Sequence, residues 1–133
     1  AQAAAEPPGP PSDLGSGQHD DALARLVRAG RQPQQILWDL IVEDIQGAAD
    51  VFRRVFDRTR GADGYVSIEV PPDVASSTKR TIAMAEELRE RCARPNVMVK
   101  IPATEQAIPA IADQVAKGHN INVTLIFSVE RHA

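Results

Sequence analysis

Hydrophobic residues in the first half of the chain recur every three or four positions, which is the spacing of amphipathic helices. We expect three helices within residues 19–61. One ends at Gly30, the next begins at Pro33, and the third carries Glu43 and Asp44 in its first turn, where the helix dipole favours negative charge.

The spacing changes in the second half of the chain, where short alternating runs take turns with longer amphipathic ones. The alternating runs predict strands over residues 64–70, 97–101 and 121–127, and the amphipathic runs predict helices over 75–92 and 104–118. This β-α-β-α-β order predicts parallel strands joined by right-handed crossovers.

Each predicted strand has an aliphatic face and an opposite face that carries polar groups toward its C-terminal end, because successive strand side chains alternate. The polar face holds Glu69 in the first strand, Lys100 in the second, and Asn122 and Thr124 in the third. A parallel barrel has this arrangement, since alternate side chains fill its interior and its active site lies at the C-terminal strand ends. We therefore predict an α/β fold that is a partial (β/α)8 TIM barrel, with three parallel strands and flanking helices.

A lysine in an otherwise apolar strand needs a reason, because burying an unpaired charge costs free energy. Removal from water disfavours the charged form of an amine, and a neutral Lys100 could attack a ketone to form a Schiff base. Glu69 could then move protons, while Asn122 and Thr124 could bind substrate hydroxyl groups or orient a water. The residues alone leave a second interpretation equally open, in which Lys100 and Glu69 form a structural ion pair in the barrel.

Three segments strongly resemble the transaldolase family: "GADGYVSIEV" over 61–70, "RPNVMVKIPAT" over 94–104 and "INVTLIFSVER" over 121–131. The segment "VEDIQGAADVF" over 42–52 also resembles the helix before the third strand of that family. The likeness runs from 19 to 131 and is greatest to the bacterial branch that includes fusions with glucose-6-phosphate isomerase.

The resemblance implies a class I aldolase-type barrel that needs no metal or cofactor. Such enzymes transfer a dihydroxyacetone unit from a ketose phosphate to an aldose phosphate in the pentose phosphate pathway, so the implied partners are sugar-phosphate substrates. Lys100 matches the Schiff-base lysine of the fourth strand, and Glu69 matches the acid/base glutamate of the third. Asn122 and Thr124 match the fifth-strand pair, with Asn122 binding substrate and Thr124 helping Glu69 to hold a catalytic water.

The resemblance covers only strands three to five of the family's barrel. We find no counterpart of the first-strand aspartate, the second-strand asparagine or the phosphate-binding arginines of the later strands, and we expect the chain to represent about half a transaldolase. One alternative is a non-catalytic truncated remnant or interaction module. A third hypothesis is another Schiff-base aldolase that acts on small aldehydes.

Composition adds limits on partners and location. The net charge is −3 and the Lys and Arg residues are dispersed, which argues against nucleic acid and anionic membranes as partners. The longest apolar runs are too short to span a bilayer. Cys92 is the only cysteine, which excludes an internal disulfide and favours a reducing compartment such as the cytoplasm. The three histidines lack the spacing of metal ligands.

The ends of the predicted domain complete the expectations. Residues 1–18 are rich in Ala, Pro, Gly and Ser, which predicts a disordered tail ahead of a partial barrel domain over residues 19–133. A three-stranded parallel sheet would also leave two unpaired edges, and such edges favour self-association.

Overall fold

The computed structural model of the chain describes residue 17 and residues 19–132. All but residue 17 of the tail predicted over 1–18 lies outside the described residues. In chain order the described elements are α1 (Asp20–Arg28), α2 (Pro33–Arg58), β1 (Val66–Glu69), a 3₁₀ helix (Pro72–Val74), α3 (Thr78–Cys92), β2 (Val97–Pro102), α4 (Ile108–Ala116), β3 (Ile121–Thr124) and α5 (Val129–His132).

The backbone separates into two compact units, one that ends at residue 41 and one that begins at residue 42. In the first unit, Leu26 of α1 packs with Ile36 and Leu40 of α2, and all three are buried. The second unit holds the remainder of α2 and all of the later elements. The domain boundaries predicted from the sequence stay a prediction.

Helix α2 is one continuous helix of 26 residues, so the prediction of two helices was wrong. Neither glycine nor proline occurs between Pro33 and Gly47, and so nothing interrupts the hydrogen-bonded ladder there. Glu43 and Asp44 consequently lie in the middle of a helix and not in its first turn. Acidic residues alone do not indicate the start of a new helix when no helix-breaking residue precedes them.

The three strands form one parallel sheet in the order β1-β2-β3, which confirms the predicted topology. In the register of the sheet, Glu69 pairs with Lys100, and Lys100 pairs with Asn122. Residues that pair in a parallel ladder point to the same side of the sheet. The polar residues therefore share one side, as the alternation predicts. An α/β fold of this kind is consistent with part of a TIM barrel.

The opposite side of the sheet is aliphatic and supplies much of the core. Its side chains in the first two strands are largely withdrawn from water, as are the inward side chains of α3, which follows β1 along the chain. Burial of this apolar surface is the main force that holds strands and helices together. The buried residues are Ile68, Val97, Val99 and Ile101 in the strands and Ala85, Leu88 and Cys92 in the helix.

A close approach fixes the end of α2 against the start of β1. Gly64 has a φ of +85°, and a Cβ at this position would lie 2.5 Å from the main-chain nitrogen of Phe56. The buried side chain of Asn96 completes the junction, because its Nδ2 donates to the carbonyl oxygens of Ala49 (2.8 Å) and Gly64 (3.0 Å). Helix and sheet are thereby joined at the N-terminal ends of the strands.

The predicted end of the third strand was wrong. Strand β3 ends at Thr124 and does not reach residue 127, because Leu125 adopts a left-handed φ of +62° that a strand cannot continue. In α4 the apolar residues at helical spacing include Ile108 and Val115, and both are exposed.

The buried side of α4 is carried by Ala107 just before the helix and by Ala110 and Gln114 within it. Because α4 is apolar almost all round, helical spacing alone did not decide which side packs inward. No helix among the described residues has both the length and the apolar character needed to cross a membrane.

Candidate active site

Lys100 and Glu69 meet near the C-terminal ends of their strands. The Lys100 Nζ lies 3.4 Å from the Glu69 Oε2, and the two side chains are 25% and 49% exposed. This contact is the ion pair that the sequence left open as an alternative. It equally places a carboxylate within reach of a proton on the amine, which acid–base assistance to an amine requires.

Asn122 reaches the same site from the far side of Lys100. Its Nδ2 donates a hydrogen bond of 3.1 Å to the hydroxyl oxygen of Ser67. Ser67 belongs to β1 and Asn122 to β3, so this hydrogen bond passes over the central strand. The sheet therefore brings Glu69, Lys100 and Asn122 together, with Ser67 beside them.

The sequence had assigned no role to Ser67, although it shares the strand face of Glu69. Ser67 and Glu69 are two positions apart, so their side chains leave the same face of the strand. This spacing could have added Ser67 to the predicted site residues. Alternation places a residue on a face, but it does not predict a hydrogen bond between two strands that are not neighbours.

Thr124 is the least engaged of the predicted site residues. It is the last residue of β3 and pairs with Pro102, so it lies on the polar side beyond Asn122. Its main-chain carbonyl accepts a hydrogen bond of 2.8 Å from the N–H of Ala103. In the described part of the chain its hydroxyl makes no hydrogen bond to Glu69, Lys100 or Asn122. Its catalytic role stays a prediction.

Two threonines fasten together the loops that follow β1 and β2. The Thr104 hydroxyl donates to the carbonyl oxygen of Ala75 (2.6 Å) and accepts from the N–H of Ala107 (3.1 Å). The Thr78 hydroxyl donates to the carbonyl oxygen of Gln106 at 2.5 Å. These bonds join the loops at the strand ends that carry Glu69 and Lys100, and a rigid rim supports a site built on the strands.

No three His, Cys, Asp or Glu side chains among the described residues converge in a way that could hold a metal ion. Cys92 is the last residue of α3, and burial of its thiol raises the pKa of that group. A buried thiol with a raised pKa is a poor nucleophile. Of the thiol of Cys92 and the amine of Lys100, the candidate nucleophile is therefore the amine.

Residues 7–133 match the family described as "Transaldolase/Fructose-6-phosphate aldolase". The chain belongs to this family. It is 48% identical over 118 residues to a transaldolase of Acidothermus cellulolyticus. It is 45% identical over 120 residues to Transaldolase 1 of Streptomyces avermitilis, and 42% identical over 118 residues to Transaldolase 2 of Nostoc punctiforme.

These alignments cover 89%, 90% and 89% of this chain but only 32%, 32% and 31% of the respective relatives. The chain therefore spans about a third of the length of the transaldolases that it matches. This is less than the half expected from the sequence. The family is established by the match, whereas the roles of Lys100, Glu69, Asn122 and Thr124 stay predictions.

Proposed function

We propose that this chain carries the Schiff-base core of a transaldolase. The observation that supports the proposal is the position of the Lys100 amine, 3.4 Å from the Glu69 carboxylate on the polar side of a parallel sheet. In a (β/α)8 enzyme the catalytic residues come from the C-terminal ends of several strands, and both residues lie there. Family membership then supplies the reaction class.

The ion pair prepares the first step of such a reaction. Transfer of a proton from the Lys100 Nζ to the Glu69 Oε2 gives a neutral amine and a carboxylic acid. The amine nitrogen attacks the carbonyl carbon of a ketose, a C–N bond forms as the C=O double bond opens, and the carbonyl oxygen takes the proton that Glu69 holds. The nitrogen then returns a proton to Glu69, which gives a neutral carbinolamine. Glu69 protonates the departing hydroxyl group, water leaves, and the protonated Schiff base remains. The charged ion pair and the reactive pair of neutral amine and carboxylic acid are thus two protonation states of the same contact between Lys100 and Glu69.

The substrates that we propose are sugar phosphates. A dihydroxyacetone unit bound to Lys100 would pass from a ketose phosphate to an aldose phosphate, as in the pentose phosphate pathway, with no metal or cofactor. Asn122 would bind a substrate hydroxyl group, and Thr124 would help Glu69 to hold a water. We place this reaction in the cytoplasm, since Cys92 is the only cysteine and is buried as a free thiol.

Borohydride trapping tests the role of Lys100. The chain is incubated with fructose 6-phosphate and sodium borohydride, and the reduced adduct is mapped by mass spectrometry. We expect the adduct on Lys100 and its loss in Lys100→Met. Lys79→Met is the matched control, because Lys79 is an exposed lysine on α3 and its replacement should leave trapping unchanged. An adduct on Lys79 or Lys117 with Lys100 unmodified would refute the assignment.

A second candidate is a Schiff-base aldolase that acts on small aldehydes, and the description of the matched family also includes an aldolase, one for fructose 6-phosphate. An aldolase uses the same Schiff base but releases the three-carbon unit as free dihydroxyacetone. Incubation with fructose 6-phosphate, with and without an aldose phosphate as acceptor, distinguishes the two. Consumption of fructose 6-phosphate only with the acceptor present supports the transaldolase, and release of free dihydroxyacetone without it supports the aldolase.

A second copy of this chain is the protein partner that the edges of the sheet favour. Within the described residues no further strand pairs with the outer edge of β1 or of β3. Both edges present unpaired main-chain groups, which another chain can pair with. Sedimentation velocity over a range of concentrations should detect this association. A monomer at every concentration would contradict it.

A further inference from the structure

We propose that Ser67 is a positioning residue that holds the carboxamide of Asn122 beside Lys100. The observation is the 3.1 Å hydrogen bond from the Asn122 Nδ2 to the Ser67 hydroxyl oxygen. The inference rests on the proposed function, since it assigns Ser67 a task only if Asn122 binds a substrate that is attached to Lys100.

The register of the sheet shows where the hydrogen bond between Asn122 and Ser67 crosses β2. Ser67 pairs with Met98, whereas Asn122 pairs with Lys100 one layer nearer the C-terminal strand ends. The bond is therefore diagonal and passes over β2 between the side chains of Met98 and Lys100. It lies next to the contact between Lys100 and Glu69, on the side toward the N-terminal ends of the strands.

The bond also holds the Asn122 side chain in place. A carboxamide can rotate about its last torsion, which has two broad, nearly equivalent states. In the structure Nδ2 donates to Ser67, so the Oδ1 oxygen remains as an acceptor for another group. A substrate hydroxyl group attached beside Lys100 has the donor that this oxygen needs. Ser67 thus restrains a carboxamide whose free oxygen suits a polyhydroxylated ligand.

The two strands that the bond joins differ in how well they are packed. β1 and β3 both have four residues and both lie at an edge of the described sheet. In β3 the residue after Asn122, Val123, is 37% exposed, whereas in β1 Ser67 is followed directly by the buried Ile68. The hydrogen bond thus ties Asn122 to a better packed part of the sheet.

Nuclear magnetic resonance of the ¹⁵N-labelled 133-residue chain tests the contact directly. The side-chain amide signal of Asn122 is identified by its absence from Asn122→Asp, and its exchange with solvent is measured. We expect Ser67→Ala to speed this exchange by about two- to ten-fold, the change that corresponds to loss of one net hydrogen bond. Ser67→Thr keeps the hydroxyl group and should keep the slow exchange. Ser76→Ala removes an exposed hydroxyl group on the same chain and is the matched control.

Trapping on Lys100 tests the consequence for the substrate. In Ser67→Ala we expect the fructose 6-phosphate concentration for half-maximal trapping to rise about two- to ten-fold, with the maximal trapping rate less affected. Ser67→Thr should restore the wild-type concentration. A merely structural role would lower the amount of folded chain but would leave the half-maximal concentration unchanged.

The outcomes separate the two proposals. Exchange of the Asn122 amide at the wild-type rate in folded Ser67→Ala overturns the role of Ser67, whatever the trapping shows. An absence of adduct on Lys100 in every variant overturns the proposed function, while the amide exchange still decides whether Ser67 holds Asn122. If Ser67→Ala does not fold, Ser67→Cys provides the same comparison, because a thiol is a weaker acceptor of similar size.

Discussion

The contact between Lys100 and Glu69 explains little of the stability of the chain. Both side chains are partly exposed, and ion pairs of this kind contribute about 0–1 kcal/mol. A stabilising role alone is therefore a weak reason for these residues at the C-terminal strand ends. The contact also fits the proposed chemistry, in which the carboxylate exchanges a proton with the amine.

Glu69→Gln separates these two interpretations. The substitution keeps the shape and removes the proton acceptor, so we expect the rate of borohydride trapping on Lys100 to fall by about 10²–10⁴. The free energy of unfolding, measured by urea denaturation, should change by less than about 1 kcal/mol. Glu90→Gln replaces an exposed glutamate of α3 and should alter neither quantity. A large loss of stability with unchanged trapping would instead identify a structural ion pair.

Asn96 is the polar residue on which the packing of helix against sheet depends most. Its Nδ2 is shared between the carbonyl oxygens of Ala49 and Gly64, and its side chain is fully buried. We expect Asn96→Ala to lower the free energy of unfolding by about 1–3 kcal/mol, because buried acceptors lose their donor.

Urea denaturation of Asn96→Ala beside Asn120→Ala measures this effect. The exposed Asn120 side chain donates a long 3.4 Å hydrogen bond to the carbonyl oxygen of Pro95, so its replacement should change stability by less than about 0.5 kcal/mol. Equal effects of the two substitutions would mean that the junction does not depend on Asn96.

The sequence predicted which side of the sheet each site residue occupies, but it did not predict their contacts. Alternation is a local property of a strand, and it correctly placed Glu69, Lys100 and Asn122 on one side. The hydrogen bond from Asn122 to Ser67 depends on the order of three strands and on their register, and neither can be read from one segment. The sequence likewise indicated no role for Asn96 in the packing, because its two acceptors lie far away along the chain.

Helices α3 and α4 are joined by a charged cluster around Lys117. The Lys117 Nζ lies 2.6 Å from the Glu86 Oε1 and 2.8 Å from the Asp113 Oδ2. Hydrogen bonds to this ammonium group lower the pKa of both carboxyl groups, and the same bonds raise the pKa of Lys117. Buried Gln114 extends the cluster, because its Nε2 donates to Asp113 and its Oε1 lies 2.9 Å from a ring nitrogen of His119.

The lowered pKa values make part of the stability depend on pH. A carboxyl group whose pKa is lower in the folded state contributes stability above its unfolded pKa, and this contribution is lost as the pH falls through the folded value. We therefore expect Lys117→Met to destabilise the chain at neutral pH. The difference from the wild type should shrink as the pH falls below the ordinary carboxyl range of about 4.

Urea denaturation at a series of pH values between 3 and 8 follows this difference. Lys79→Met is again the control, since this exposed lysine in the first turn of α3 should give a difference that does not depend on pH in the acid range. A Lys117→Met difference that stays constant down to pH 3 would show that the cluster is not linked to acid stability. The raised pKa of Lys117 adds a second contribution, present below the unfolded value and lost as the pH rises above about 10.

Element boundaries were predicted less well than element types, for identifiable physical reasons. The sequence divided α2 near residue 41, although only acidic residues and no helix breaker marked the place. It extended β3 through Leu125, whose left-handed φ is a feature of the tertiary structure. It did not indicate which side of α4 packs inward, since a helix with apolar residues all round satisfies helical spacing on more than one side.

The described sheet has three strands, whereas the barrel to which this family's fold belongs has eight. On its polar side, Lys100 and Glu69 are partly open to water, so the described strands do not enclose the site. The chain also spans only about a third of its transaldolase relatives. Formation of a Schiff base needs an amine and an acid–base partner, but transfer of a three-carbon unit needs both substrates to be held as well.

We therefore expect the 133-residue chain on its own to form the Lys100 adduct slowly and to transfer dihydroxyacetone units far more slowly than a complete relative. Precise positioning of reactants can lower a barrier by about 7–11 kcal/mol, and a further general base is worth about 10²–10⁴ in rate. A coupled assay for release of glyceraldehyde 3-phosphate measures turnover, with the Acidothermus cellulolyticus transaldolase as the reference. The segment of that enzyme that aligns with this chain is the matched control, and it should be equally slow. Turnover of the 133-residue chain within about tenfold of the reference would mean that its three strands hold and position both substrates without the remainder of a barrel.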